Sequence, residues 1–414
     1  MMIDIDAYKE IIETLTRNKT RSLLTGFGVF WGIFMLVVLL GGGQGMKDAL
    51  SENFQGFATN SVIVYPQQTT VPWHGYRKGR AWGLTGRDVT LLRQIPEMEL
   101  ITPLVMRWGS RAYHGDRKTL CNFRGVRPDY VRVDEPNLLY GRFINRMDMD
   151  QGRRVCVIGK KIYNDLFPDG GDPTGQMMRI DSTYYQIVGV DLALGNMSVG
   201  SRAEELVTVP STLMQRTYNL GDSVTMVCMV ARPGVQTRPL IPRIRNIIAH
   251  AHDFSPKDEK ALLVFNSATM FSMVDSLFRG VNFLVWLVGI GTLLAGAIGV
   301  SNIMMVTVRE RTVEIGIRRA IGATPKMILT QIISESILLT LVAGVMGIVF
   351  AVLILQALQS TAGTTAGEVT AHYQVSFWTA LGALLLLSVL GVLAGLAPAM
   401  RAMGIKPVDA MRDE

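Results

Sequence analysis

NIMMVTVRERTVEIGIRRAIGATPKMI, residues 302–328, is a short charged segment caught between two long apolar runs. Arg309, Arg311, Arg318, Arg319 and Lys326 crowd into it, which places it on the cytoplasmic side of a membrane. It reads as a helix with defined ends. Glu314 and Arg318 stand at i and i+4 in the favourable order, and Val313, Ile317 and Ile321 share a face with Gly316 and Ala320. Gly322 is placed to stop that helix, and Thr324-Pro325 supplies a cap and first-turn proline for the next one. The plain alternative is a surface helix that only orients its two neighbours.

Working outward, the chain of 414 residues is 49% hydrophobic and 18% charged, too apolar for an ordinary soluble protein. The apolar residues collect in runs at 23–40, 283–308, 328–358 and 375–399. Each approaches or exceeds the roughly 20 residues that cross a bilayer as a helix. None holds Lys or Arg, and Glu335 is their only acidic residue. The expected organisation is a lead-in helix at 1–20, spans at 21–45, 281–308, 327–358 and 375–400, and an external segment at 46–280. A cytoplasmic connector at 309–326, a short external loop at 359–374 and a tail at 401–414 complete it. This is a four-helix membrane protein in a 1+3 layout with an inserted α+β domain.

The net charge of +7 follows topology rather than nucleic-acid binding. Lys9, Arg17, Lys19 and Arg21 precede the first span, and Arg401, Lys406 and Arg412 follow the last. The loop at 359–374 has no Lys or Arg, so both termini are expected on the cytoplasmic side of the cell inner membrane. The first run is read as an uncleaved anchor, because GGGQG follows it where a signal peptide would carry a small-residue cleavage site. Within residues 3–20, Tyr8, Ile11, Ile12 and Leu15 make the apolar face of an interfacial helix.

Strand-like runs such as SVIVYP, RRVCVIG and VTMVCMVA alternate with helical pieces in the external segment, pointing to an α+β fold. Leu240, Ile241, Ile244, Ile247 and Ile248 make one amphipathic face at 237–252. Cys121, Cys156 and Cys228 read as buried thiols, with one disulfide left open. At the membrane junctions, Met46, Leu50 and Phe54 continue one helical stripe, and Met270, Val274 and Leu277 another. Two such helices would pair as a stalk, or each would dock on the external domain. Within the spans, Gly28 and Gly32, Ala295 and Gly299, Ala343 and Gly347, and Gly391 and Gly395 are four apart, as close helix packing requires.

The segment RTVEIGIRRAIGA, residues 311–323, resembles the signature of ATP-binding-cassette (ABC) permeases of the MacB (macrolide-exporter) and FtsX type. Residues 17–32, RNKTRSLLTGFGVFWG, are similar to the start of that family's first span. Residues 395–411, GLAPAMRAMGIKPVDAM, are similar to its closing motif, P-A-x-x-A and P-x-x-A-[LM]. The resemblance implies a dimer bound to cytoplasmic ATPase subunits, with the second permease copy or a paralogue as partner. It makes the connector a coupling helix, assigned here to Glu310, Arg311, Glu314, Ile315, Gly316, Arg318, Arg319, Gly322 and Ala323. It implies a two-lobed periplasmic domain and mechanotransmission, in which ATP-driven closing of the ATPases moves the external domains. A periplasmic adaptor and outer-membrane channel are further partners of that kind.

No G-x-x-x-x-G-K-[ST] phosphate loop occurs here, so ATP is expected to be bound by a partner polypeptide, in a permease without a fused ATPase. No catalytic residue, cofactor or metal site is expected within the chain. His250 and His252 lack a third ligand and read as surface residues. Trp73, Trp82 and Trp108 interleave with Arg77, Arg80, Arg107 and Arg111, as either a patch for an anionic partner or core aromatics with solvated arginines. Glu335 should meet Lys326 or the connector's arginines at the cytoplasmic rim. The expected work is export or extraction of an amphiphilic or peptide substrate. The alternative is FtsX-like signalling that activates an external partner without transport.

Overall fold

The computed structural model describes residues 19–52, 55–193, 195, 197–362 and 377–405. The lead-in helix, Phe54, most of the 359–374 loop and the end of the tail lie outside the described residues. The chain divides into two compact units, one of residues 1–49 and 276–414, the other of residues 50–275.

The first unit holds four helices long and apolar enough to cross a membrane. In chain order α1 (Lys19–Glu52) leads into the second unit. That unit begins with β1 (Ser61–Pro66), β2 (Leu84–Thr85), α2 (Gly86–Leu92), β3 (Met98–His114), β4 (Arg117–Val126), β5 (Leu138–Gly141) and α3 (Arg146–Asp150). It continues through β6 (Val155–Gly159), α4 (Lys160–Leu166), β7 (Met177–Ile180), β8 (Thr183–Asp191), β9 (Met197–Ser198) and β10 (Ser201–Arg202). Next come β11 (Leu206–Pro210), α5 (Ser211–Thr217), β12 (Ser223–Val224), β13 (Met226–Ala231), α6 (Ile241–His252) and β14 (Leu262–Asn266). Helices α7 (Ser267–Glu310), α8 (Thr312–Ala320), α9 (Pro325–Ala362) and α10 (Phe377–Met403) return to the first unit.

The second unit is built on a ten-stranded mixed sheet ordered β14-β1-β13-β3-β4-β11-β6-β8-β5, with β7 against β3 and β8. Strand β3 joins its two halves: residues 98–104 pair with β13 and residues 105–114 with β4. The register shifts between Arg107 and Ser110, where Gly109 takes φ 73°, a conformation that favours glycine. Period-2 alternation sends Val62 and Val64 into a core under α2 and α6, while Ile63 faces the opposite side. Cys156 and Ile158 of β6 go into a second core, under α4 and α5. The α+β class is therefore observed, with two helix-covered cores on one sheet.

Helix α6 buries Ile244, Ile248 and Ala249, with Leu240 just before it, as its spacing predicts. Each large aliphatic side chain so buried contributes about 1.5–3 kcal/mol. On the back of the sheet, Arg124 is almost fully buried. It donates to Thr208 Oγ1 at 2.7 Å and Ser198 Oγ at 2.6 Å, pairs with Asp134 at 3.2 Å, and lies over the Tyr130 ring. This network satisfies the charge and ties the β9–β10 hairpin to the sheet.

The membrane unit packs through glycine, with a shift from the expected register. A Cβ on Gly28 would stand 3.4 Å from Gly296 Cα, and one on Gly347 2.7 Å from the Phe30 carbonyl oxygen. Gly32 faces Leu293, Gly391 faces Ile337 and Thr340, and Gly395 faces Ser336 and Ile333. Gly299 is the exception: a Cβ there would meet nothing within 4 Å. One helical position separates Ala295 from Gly296, a rotation of about 100°, and that rotation moves the contact from 295/299 to 296.

Candidate functional site: the connector between α7 and α9

Helix α7 ends at Glu310, and the single residue Arg311, at φ −100° and ψ 17°, turns the chain into α8. Thr312 Oγ1 accompanies the turn by donating to the Arg309 carbonyl at 2.7 Å. At the far end Ala323 N–H donates to the Arg318 carbonyl at 3.0 Å and Gly322 N–H to Arg319 at 3.2 Å. With Gly322 at φ +112° this is a Schellman termination. Thr324 then receives the Met327 N–H, and Pro325 opens α9.

The side chains of α8 divide by function. Ile315 and Gly316 are buried, Ile315 among the core residues of the membrane unit. Val313, Ile317 and Ile321 form an exposed apolar stripe, Ile321 at 82% exposure. Gly316 therefore leaves the face it was expected to share with them.

Three arginines fasten the connector to the helices beyond it. Arg318 bonds Glu314 Oε1 at 2.7 Å on its own helix and Gln331 Oε1 at 3.0 Å on α9. Arg311 Nη1 lies 3.6 Å from Glu335 Oε2, and Glu335 is 4% exposed. Arg319 Nη1 donates to the Met403 carbonyl at 2.9 Å and also to that of Ile405, at the end of α10. The Met403 carbonyl belongs to the last turn of α10, where no intrahelical donor remains, and Ile405 lies two residues past it. Glu335 thus meets the connector as its position predicts. Arg319 to α10 and Gln331 to Arg318 were not legible, since only folding brings those positions together. Glu310, Gly322 and Ala323 stay at the connector's ends, with Glu310 and Gly322 exposed.

Of the junction residues, Met46, Leu50 and Leu277 are exposed, and Met270 and Val274 are half-buried. Both stripes are helical, on α1 and α7.

Other chemistry resolves as structure. All three cysteines are free and buried. Burial, with Asp181 nearby, pushes the Cys121 thiol up to about 12, and burial also raises Cys156 and Cys228. Among the described residues no cluster of His, Cys, Asp and Glu could hold a metal ion. His252 is not a surface residue: its Nε2 lies 2.9 Å from Asp88 Oδ2, and its ring packs on Trp82. The aromatic and basic patch is divided. Arg80 binds the carbonyls of His252 and Asp253, whereas Trp108 Nε1 donates to Gly200 and Arg107 lies over Tyr218.

Two known domains match stretches of this sequence. Residues 22–247 match the MacB-like periplasmic core domain, and residues 286–407 match the FtsX-like permease C-terminal domain. The chain belongs to the MacB/FtsX-like family of ABC permeases.

Among its relatives, a pyoverdine export ATP-binding/permease protein of Pseudomonas entomophila is 30% identical, over 99% of this chain and 60% of the relative. The macrolide export ATP-binding/permease protein MacB of Haemophilus ducreyi is 28% identical, over 96% of this chain and 54% of the relative. The chain thus spans about 60% of the length of the curated relatives it matches. A crystal structure of the periplasmic region of MacB from Actinobacillus actinomycetemcomitans aligns with 54% of this chain and 96% of that one, at TM-score 0.42 and 17% identity. As a family member with four apolar helices, the chain is a transmembrane permease with a MacB-like periplasmic domain.

Proposed function

We propose that this permease receives work from a cytoplasmic ABC ATPase at α8 and uses it to move its periplasmic domain. The single observation that carries the reading is the division of α8. Its apolar stripe, Val313, Ile317 and Ile321, is exposed, while its arginines are engaged with α9 and α10. An exposed apolar stripe on a helix otherwise bound to its own protein is what a docking helix requires.

The coupling set is then Glu310, Glu314, Gly322 and Ala323 around the stripe, with Arg311, Ile315, Gly316, Arg318 and Arg319 holding the helix from behind. The ATPase is assigned to a partner chain and the permease to a dimer, with both termini on the ATPase side. The exposed stripes around Met46, Leu50 and Leu277 would pair as the stalk. The export names of the relatives support export as the work, and an amphiphilic or peptide cargo is assigned to it.

Co-purification tests the reading. An ATPase retained by the tagged wild-type chain should be lost with Ile317→Asp plus Ile321→Asp, while the membrane unit keeps its melting temperature. Retention at the wild-type level would refute docking at α8.

A further inference from the structure

Helix α8 is attached to the helices after it at two separate places. The α9 attachment uses Arg311 to Glu335 and Arg318 to Gln331. The α10 attachment is the Arg319 guanidinium, donating to the Met403 and Ile405 carbonyls. These differ in kind. Glu335 and Gln331 are side chains one helical turn apart on α9, set in its second and third turns. The Arg319 acceptors are backbone carbonyls at the terminus of α10, a helix that reaches the connector from a distant part of the chain.

A cation at a helix C-terminus interacts with the dipole as well as the free carbonyls. Both bonds leave one terminal nitrogen, Nη1, whose hydrogens lie fixed in the guanidinium plane, whereas the donors of an ammonium rotate freely. Helix α10 is also packed closely against α9, since a Cβ on Gly391 or Gly395 would collide with Ile337 or Ser336. Its body is therefore guided by α9, and its end is held by Arg319.

We propose that Arg319 is the positioning residue that carries displacement of α8 to α10, giving the connector a second mechanical outlet besides α9. Without it, α8 would move α9 and leave the end of α10 behind. The proposal rests on the docking role of α8 for its biological meaning, whereas the clamp itself is tested in the permease alone.

The test is a pair of spin-label distances in the full chain in phospholipid nanodiscs. Ala320→Cys, exposed on α8 and outside the docking stripe, with Met400→Cys reports α8 against α10, and Ala320→Cys with Val342→Cys reports α8 against α9. Arg319→Ala should broaden the first distribution at least twofold and leave the second unchanged. Arg319→Lys should fall between wild type and Arg319→Ala. Equal broadening of both pairs would mean a general loosening of α8 and would overturn the proposal, as would no broadening of either.

In a preparation that retains the co-purified ATPase, ATP with vanadate should shift the α8–α9 distance and move the Met400 label with it in wild type. The Met400 label should lag in Arg319→Ala, and a label that still follows would also overturn the proposal. Failure of wild type to retain any ATPase would remove the docking role and leave the nanodisc distances to decide the clamp.

Discussion

Gly28 and Gly296 meet backbone to backbone: a Cβ on Gly296 would lie 3.0 Å from the Gly28 carbonyl carbon. No side chain can enter that contact unless the helices part. Gly299, three residues further along α7, has nothing within 4 Å of the same built position. Gly296→Val should therefore destabilise the membrane unit by about 1–3 kcal/mol, the usual cost of overpacking. Gly299→Val should be close to neutral. Thermal unfolding of the two variants in detergent makes the comparison, and equal losses would count against the assigned contact.

Glu335 is buried against Arg311, so its removal leaves a cation beside α9 with one acceptor fewer. Glu335→Gln keeps the volume and loses the charge. Arg311 is partly exposed and water screens it, which puts the expected cost at about 1–2 kcal/mol rather than that of a fully buried pair. Denaturant unfolding gives the stability, and ATPase stimulation in the retained complex should fall with it. Undiminished stability would show that the 3.6 Å contact is incidental.

In the α+β unit, acid should weaken the fold through three carboxylates. Burial alone would raise Asp88, but hydrogen bonds from His252 and Thr85 outweigh it and hold its pKa below the usual 3.8. Asp148, bonded by Arg142, and Asp258, bonded by Thr70 and Val71, are lowered against burial in the same way. A lowered folded pKa gives stability that is present above the unfolded value and is lost as pH falls through the folded one. The melting temperature should hold from about pH 5 upward and drop below about pH 4. The acid-induced drop should be smaller in Asp88→Asn, which has lost that contribution at every pH. An identical drop in both proteins would exclude Asp88 as a contributor.

Cys121 should resist alkylation. With its thiol pushed up to about 12, only about 10⁻⁴ of it is thiolate at pH 8. Burial adds an access barrier there and at Cys156 and Cys228. Mass spectrometry after iodoacetamide should find all three unmodified in the folded protein and alkylated in urea. Rapid labelling of the native chain would contradict the burial.

How far the sequence was legible depends on distance along the chain. The Gly322 stop and the Thr324-Pro325 start were readable because a helix end is set by four or five consecutive residues. The α6 face followed from periodicity and the four apolar runs from continuous hydropathy, both of them local signals. His252 was misread as a surface residue because its partner Asp88 lies 164 positions away. The register of the α1–α7 contact was missed by one residue, since small-residue spacing names a face only to within a helical step.

Composition and local pattern by themselves determined four apolar helices, an α+β segment after the first and a charged connector between the second and third. The resemblance of residues 311–323 to a family signature added the permease reading. Hydropathy, propensity and capping act over a few residues, so they survive without knowledge of the fold. Only the tertiary structure decided what each arginine of the connector holds. Arg319 and the Met403 carbonyl are 84 residues apart, and they meet because α9 and α10 pack closely enough to bring a helix end back to α8.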